Sequence, residues 1–140
     1  VRNVPLAIAF TSPQFASIGQ RPDTLDAAST AVGRVSFVNQ GRSRVMAANV
    51  GAGHVYGCTR TGRLLGAQLI GPAVEHLAHL LAWALQQGLT VDAVLELPFY
   101  HPTVEEGLRT AMRELRDAIR KAADKTAPPT AQLLDCGPCP

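Results

Sequence analysis

His101 and Glu106 are the two side chains whose types and spacing best suit chemistry in this 140-residue sequence: an imidazole and a carboxylate five positions apart in Phe99-Tyr100-His101-Pro102-Thr103-Val104-Glu105-Glu106. A carboxylate that hydrogen-bonds one ring nitrogen of a histidine fixes the tautomer and leaves the other nitrogen to act as a base. Pro102 biases His101 toward an extended conformation. Thr103, with Glu106 three residues on, has the S/T-x-x-E form of a capping box, which predicts a helix beginning just after Thr103. The histidine then lies in a loop and the glutamate in the first helical turn. A capping glutamate and a solvated loop histidine explain the same residues without catalysis, so pattern alone leaves both readings open.

Other reactive groups are sparser. The end of the chain, Asp135-Cys136-Gly137-Pro138-Cys139-Pro140, holds a C-G-P-C tetrad that looks like the redox motif of thioredoxins. Such a motif is activated by the helix it begins, and here the sequence stops one residue later. Cys136 and Cys139 are therefore incidental thiols in a flexible tail, or else a mobile arm that exchanges electrons with a disulfide or binds a soft metal. Cys58, between Gly57 and Thr59, reads as a small core or edge residue. Glu75, His76 and His79 are metal-ligand types, but no third converging ligand or zincin pattern accompanies the two histidines, and no metal site is expected. Gly51-Ala52-Gly53-His54-Val55-Tyr56 fails as a dinucleotide fingerprint because Tyr56 stands where the third glycine is required. It is expected to turn the chain between two strands. Arg109, Arg113, Arg116 and Arg120 recur at helical spacing beside Glu105, Asp117 and Lys121, which fits a solvated, charge-paired face better than a phosphate-binding stripe.

The elements that must position these groups follow from periodicity. Residues 4–10 form a short apolar run closed by Thr11-Ser12-Pro13, a strand ending in a turn; residues 20–30 read as a surface connection or short helix. Val32, Val35, Phe37 and Val38 predict a strand over 31–38, continuing more weakly through 43–49. Residues 54–60 and 64–70 are apolar runs joined by Thr61-Gly62-Arg63, a hairpin. Helical spacing follows: Val74, Leu77, Leu80, Leu81, Ala84 and Leu85 predict a helix over 73–87 stopped by Gly88, and a short one is expected over 91–97 before Pro98. A last helix over 104–123 turns Leu108, Ala111, Met112, Leu115, Ile119 and Ala122 to one side. Strands first and helices after make an α+β fold, an antiparallel sheet of three to five strands backed by helices. Residues 1–123 are expected to form one domain, and 124–140, with four prolines and no periodicity, a disordered tail.

Composition narrows the function. Hydrophobic residues make up 46% of the chain and charged residues 17%, enough apolar material for one core. A formal charge of +2 is too small to imply nucleic acid, and the one Trp, two Tyr and four Phe show no stacking pattern. No apolar run approaches the roughly 20 residues of a membrane span, so no membrane partner is expected. Three unevenly placed cysteines are not a secreted disulfide framework and suit a reducing cytoplasm. A first strand that begins almost at Val1, with no initiator methionine, reads as a fragment of something longer.

The sequence resembles the C-terminal dimerisation, or interface, domain of the pyridine nucleotide-disulfide oxidoreductases, and within that family the dihydrolipoamide dehydrogenases. His101-Pro102-Thr103-x-x-Glu106 is similar to the family's C-terminal signature. Val4-Pro5, Phe10-Thr11-x-Pro13 and Ala16-x-x-Gly19 are similar to its entry into the domain. Thr61-Gly62-Arg63-Leu64-Leu65-Gly66-Ala67 resembles its central hairpin, and Gly71-Pro72 with Glu75-His76-Leu77 its long helix, so agreement runs in order over about residues 4–120. The sequence departs from the pattern at Gln14, where the family usually has an acidic residue, and in the C-G-P-C tail, which leaves room for a specialised substrate.

The resemblance implies a homodimer in which His101 reaches the partner subunit's active site and takes a proton from a substrate thiol, with Glu106 as its orienting partner. It places His101 and Pro102 beside the partner's flavin and implies FAD and NAD in the full-length protein, none of them held by this chain alone, which should be inactive. A lipoyl group or another disulfide would be the substrate, and the His101–Pro102 bond is expected to be cis. Two rivals remain: a dimerisation or scaffold module without catalysis, and a thiol-redox or metal role for Cys136 and Cys139.

Overall fold

A computed structural model describes residues 3–126 of the chain. Five antiparallel strands form one sheet: β1 (Leu6–Ala9), β2 (Gln14–Gly19), β3 (Thr30–Ser36), β4 (Ala52–Cys58) and β5 (Leu64–Gly71), in the order β1-β2-β5-β4-β3. Four helices complete the fold: α1 (Gly41–Val45), α2 (Val74–Gln86), α3 (Val91–Leu95) and α4 (Glu106–Thr126). The expected α+β layout is present, with strands mostly preceding helices.

Register explains which side of the sheet is dry. Ala16 pairs with Leu69, Leu69 with Gly53 and Gly53 with Val35; the next inward row is Ile18, Ala67, Val55 and Gly33. Successive side chains on a strand alternate sides, so these rows share one face. All eight residues are buried. Helix α2 packs on this face over β2 and β5, and α4 over β3 and β4. The opposite face presents Phe15, Ile70, Ala52, His54 and Arg34, all exposed. The core is therefore a sandwich of one sheet face and two helices, closed by Leu77, Leu81, Met112 and Leu115, each no more than 2% exposed.

Four local expectations are corrected. Strand β2 was absent from the pattern, since Gln14, Ser17 and Gly19 dilute its apolar signal; it is made a strand by its hydrogen bonds to β1 and β5. Residues 43–49 do not extend β3. They form α1 and a turn in which Ala47 takes a left-handed φ of 53° and the Ala48 amide donates to the Ser43 carbonyl at 2.9 Å. β3 is an edge strand, so a continuation has no second neighbour to hold it. The glycine cluster turns only at Gly51 (φ 105°); Ala52 and Gly53 already belong to β4. Gly53 is small because a Cβ there would lie 2.5 Å from Leu69 Cδ2.

The fourth concerns the helices. α2 and the hairpin turn match expectation, with Gly88 (φ 64°) and Gly62 (φ 68°) in the left-handed conformation that ends a helix and closes a tight turn. Leu80, expected on the buried stripe of α2, is 40% exposed. α4 starts at Glu106, after a turn at residues 104 and 105, and runs to Thr126, beyond the expected end at 123. Its inward stripe is Leu108, Ala111, Met112 and Leu115, while Ile119 and Ala122 are only half-buried.

Candidate functional site

The segment from α3 to α4 is anchored at both ends and bare in the middle. Phe99 is half-buried and packs on the core, whereas Tyr100 is 82% exposed. Next comes His101, followed by a cis peptide bond to Pro102, the geometry the family resemblance implied. The chain folds back at this point so that the carboxylate of Glu106 meets the ring. His101 Nδ1 lies 3.0 Å from Glu106 Oε1 and 2.9 Å from Oε2. A carboxylate can only accept, so Nδ1 carries the hydrogen and donates it. Nε2 is then the unprotonated nitrogen of the neutral ring, on a side chain 79% exposed.

Glu106 is itself held. Its Oε2 accepts from the Thr103 amide at 3.3 Å, one half of the capping box. The other half is not made: the Thr103 hydroxyl donates instead to the Tyr100 carbonyl at 2.8 Å, tying the loop across His101 and Pro102. That is the physical reason the helix starts later than expected, the first turn being occupied by the Gly107 amide on the Val104 carbonyl at 2.9 Å. The hydrogen bond from His101, ahead of the Thr103 amide, holds the Glu106 carboxyl below the usual carboxylate range, against the opposing effect of its partial burial. Glu106 is thus kept as an anion facing the ring.

The remaining candidates do not join this pair. His79 Nδ1 lies 2.7 Å from the Glu75 carbonyl one turn earlier, and His76 Nε2 lies 3.5 Å from Glu75 Oε1. Among the described residues no group of three or more His, Cys, Asp or Glu is placed to hold a metal. Cys58 ends β4, half-buried, and the Thr61 hydroxyl and the amides of Thr61 and Arg60 hold its thiol below the usual range. Cys136 and Cys139 lie outside the described residues. The arginines of α4 are not one solvated face: Arg113 and Arg120 are exposed, but Arg109 and Arg116 are half-buried, and among the described residues the ion pair that joins this helix to the sheet is Arg34 to Glu114 at 3.3 Å.

Two residues make contacts that the sequence does not foretell. Gln14, which departs from the family pattern, uses its Oε1 to accept from the Glu75 amide at 3.2 Å, in the first turn of α2. A neutral amide oxygen thus serves a helix start where a carboxylate is usual. The other is Arg109, whose guanidinium lies over the Phe99 ring, 5.7 Å from its centroid. Its position three residues after Glu106 was the available signal.

Comparison with known proteins adds the following. The model of the pyridine nucleotide-disulphide oxidoreductase dimerisation domain matches residues 5–112. The dihydrolipoyl dehydrogenase of Haloferax volcanii is 33% identical over 110 residues, 77% of this chain and 23% of that protein. The mitochondrial dihydrolipoyl dehydrogenase of Rattus norvegicus is 28% identical over 107 residues, 75% of this chain and 21% of that protein. Among solved structures, the HOCl-induced flavoprotein disulfide reductase RclA from Escherichia coli is similar over 80% of this chain and 26% of its own, with a TM-score of 0.75 at 21% identity. LpdA from Mycobacterium tuberculosis is similar over 79% of this chain and 25% of its own, with a TM-score of 0.74 at 21% identity. The sheet with its helices is thus the fold of those domains, and the chain spans 21–26% of the length of these relatives.

Proposed function

Because this chain belongs to the pyridine nucleotide-disulphide oxidoreductase dimerisation-domain family, matched over residues 5–112, we propose that it pairs two copies of a longer disulfide oxidoreductase and lends each copy's active site a base from the other. The observation that carries this reading is the paired contact of both Glu106 oxygens with His101 Nδ1, which leaves Nε2 as the acceptor on an exposed ring. A general base needs that arrangement: one nitrogen orients, the other receives.

In the proposed reaction Nε2 of His101 takes the proton of a substrate dithiol, of the dihydrolipoyl kind that the curated relatives are named for. The thiolate formed attacks one sulfur of a disulfide in the partner subunit, making a mixed disulfide and releasing the other sulfur as a thiolate. Glu106 stabilises the imidazolium while it lasts. FAD and NAD belong to the same proposal as the electron-accepting groups of the full-length protein, with His101 and Pro102 as this chain's surface toward the partner's flavin. Nothing in β4 supplies a nucleotide-binding turn, since Tyr56 is buried within the strand at the place a third glycine would occupy. A cytoplasmic setting is part of the reading on cysteine usage alone.

Mixed dimers test it. In the full-length protein, His101→Gln subunits and subunits with the redox disulfide replaced by serines should each be inactive as homodimers toward dihydrolipoamide, and a mixed dimer should regain activity at one of its two sites. Folded mixed dimers without recovery would show that His101 does not serve across the pair.

A further inference from the structure

The two limbs of the His101 loop are tied together by a contact that involves neither His101 nor Glu106. Phe99, two residues before the histidine, packs its ring on the core, and Arg109, three residues after the glutamate, lays its guanidinium over that ring at 5.7 Å. Arg109 Nε is buried and has no hydrogen-bond acceptor among the described residues. Among the described residues the half-buried guanidinium forms no ion pair, and a partly desolvated cation over a ring is favourable. The contact runs from the start of α4 to the far limb of the loop, so it fixes the distance across which the imidazole and carboxylate must meet. Thr103 cannot do this alone, because its bonds to Tyr100 and Glu106 both lie inside the loop.

We propose that Arg109 is a positioning residue that clamps the His101 loop to α4 through Phe99, and so holds His101 in the Nδ1–H tautomer facing Glu106. The proposal rests on the acid–base reading for its purpose and on the geometry for its content. Arg109 also adds positive charge beside Glu106, which favours the carboxylate form the tautomer requires.

The test is nitrogen NMR of the histidine rings in the full chain, at a pH where the imidazole is neutral. In the unaltered protein His101 should show one protonated-type nitrogen, Nδ1, well separated from an unprotonated Nε2. Arg109→Met should lower the ratio of Nδ1–H to Nε2–H ring by roughly three-fold, drawing the two signals together. Phe99→Leu should do the same, and the double variant should add little to either, since both remove one contact. Phe99→Tyr keeps the ring and should keep the separation. The signals of His54, His76 and His79 report whether each variant is folded. If Arg109→Met does not fold, the Leu and Tyr variants of Phe99 decide the matter. An unchanged His101 ring in a folded Arg109→Met or Phe99→Leu protein, additive effects in the double variant, or loss of separation in Phe99→Tyr would each overturn the clamp. The measurement needs no substrate and no turnover. An unaltered ring therefore ends the clamp and leaves the acid–base reading standing, whereas a fully active His101→Gln enzyme would end that reading and leave the clamp.

Discussion

Phe37 and Gly107 are fitted to each other: the ring of Phe37 is fully buried, and a Cβ on Gly107 would lie 2.8 Å from its Cε1. Gly107 follows Glu106 directly, so the carboxylate that faces His101 is carried on a helical turn whose depth is set by that ring. The same ring would lie 2.7 Å from a Cβ on Gly71, the last residue of β5. Sheet end, edge turn and helix start thus converge on one side chain.

Gly107→Ala should therefore destabilise the fold despite the better helix propensity of alanine. Overpacking a full core costs about 1–3 kcal/mol, against at most about 1 kcal/mol gained from the helix. A melting temperature a few degrees lower is expected by calorimetry; an unchanged or higher value would show that Phe37 yields.

Gly33 and Gly57 give a sharper comparison. A Cβ on Gly33 would lie 2.0 Å from the Ala111 carbonyl oxygen and 2.6 Å from the Leu115 amide nitrogen, both helix backbone, so α4 would have to lift from the sheet. The three atoms nearest a Cβ on Gly57 all belong to the Leu115 side chain, the closest at 3.1 Å. Denaturant unfolding should give a loss of about 3 kcal/mol or more for Gly33→Ala and less than about 1.5 kcal/mol for Gly57→Ala. Equal losses would mean that the helix can shift freely over β3.

Glu106→Gln should lower turnover of dihydrolipoamide by the full-length enzyme by about 10²-fold or more, if His101 works as a general base. A glutamine still fills the space, so KM should change less than kcat. A loss confined to KM would contradict an orienting role.

The same substitution should reveal a pH-dependent contribution to stability. The folded state holds the Glu106 carboxyl at a lowered pKa through its bonds to His101 and Thr103, so as pH falls the unfolded chain takes up the proton first. The stabilisation is complete above the unfolded value and disappears as pH drops through the folded one. Melting temperatures of the unaltered protein and Glu106→Gln should therefore differ near neutrality and converge in acid. A gap that persists undiminished as pH falls through the carboxylate range would refute the assignment.

Cys58 should alkylate at lower pH than an ordinary thiol. The thiolate is the reactive form, and the Thr61 hydroxyl and neighbouring amides favour it. In a Cys136→Ser, Cys139→Ser background, the iodoacetamide rate profile should rise below the usual thiol range, and Thr61→Val should move it upward. Identical profiles would show that Thr61 does not reach the sulfur.

The hydrogen-bonded pair His101 and Glu106 is legible in the linear sequence because it is local. Five residues with a proline between them can bring an imidazole to a carboxylate with no help from distant strands, and a four-residue cap motif marks the helix start to within two or three positions. The same holds for α2 and α4, where the spacing of Leu77, Leu81, Met112 and Leu115 writes the buried stripe, and for the Thr61-Gly62-Arg63 turn, where a left-handed glycine is a backbone requirement. The family resemblance also rests on such local words.

What tertiary structure alone decided is non-local. β2 is a strand because β1 and β5 satisfy its amides, not because of its own residues, and 43–49 is a helix and turn because β3 has no neighbour beyond it. Thr103 spends its hydroxyl on Tyr100 only once the loop has closed, and Arg109 leaves the solvated face for the ring of Phe99 only once α4 lies beside that loop. Periodicity records which side of an element is apolar. It does not record which other element arrives there, and that arrival, governed by hydrogen bonds and close packing between distant segments, decides where in the fold the locally formed His101–Glu106 pair is carried.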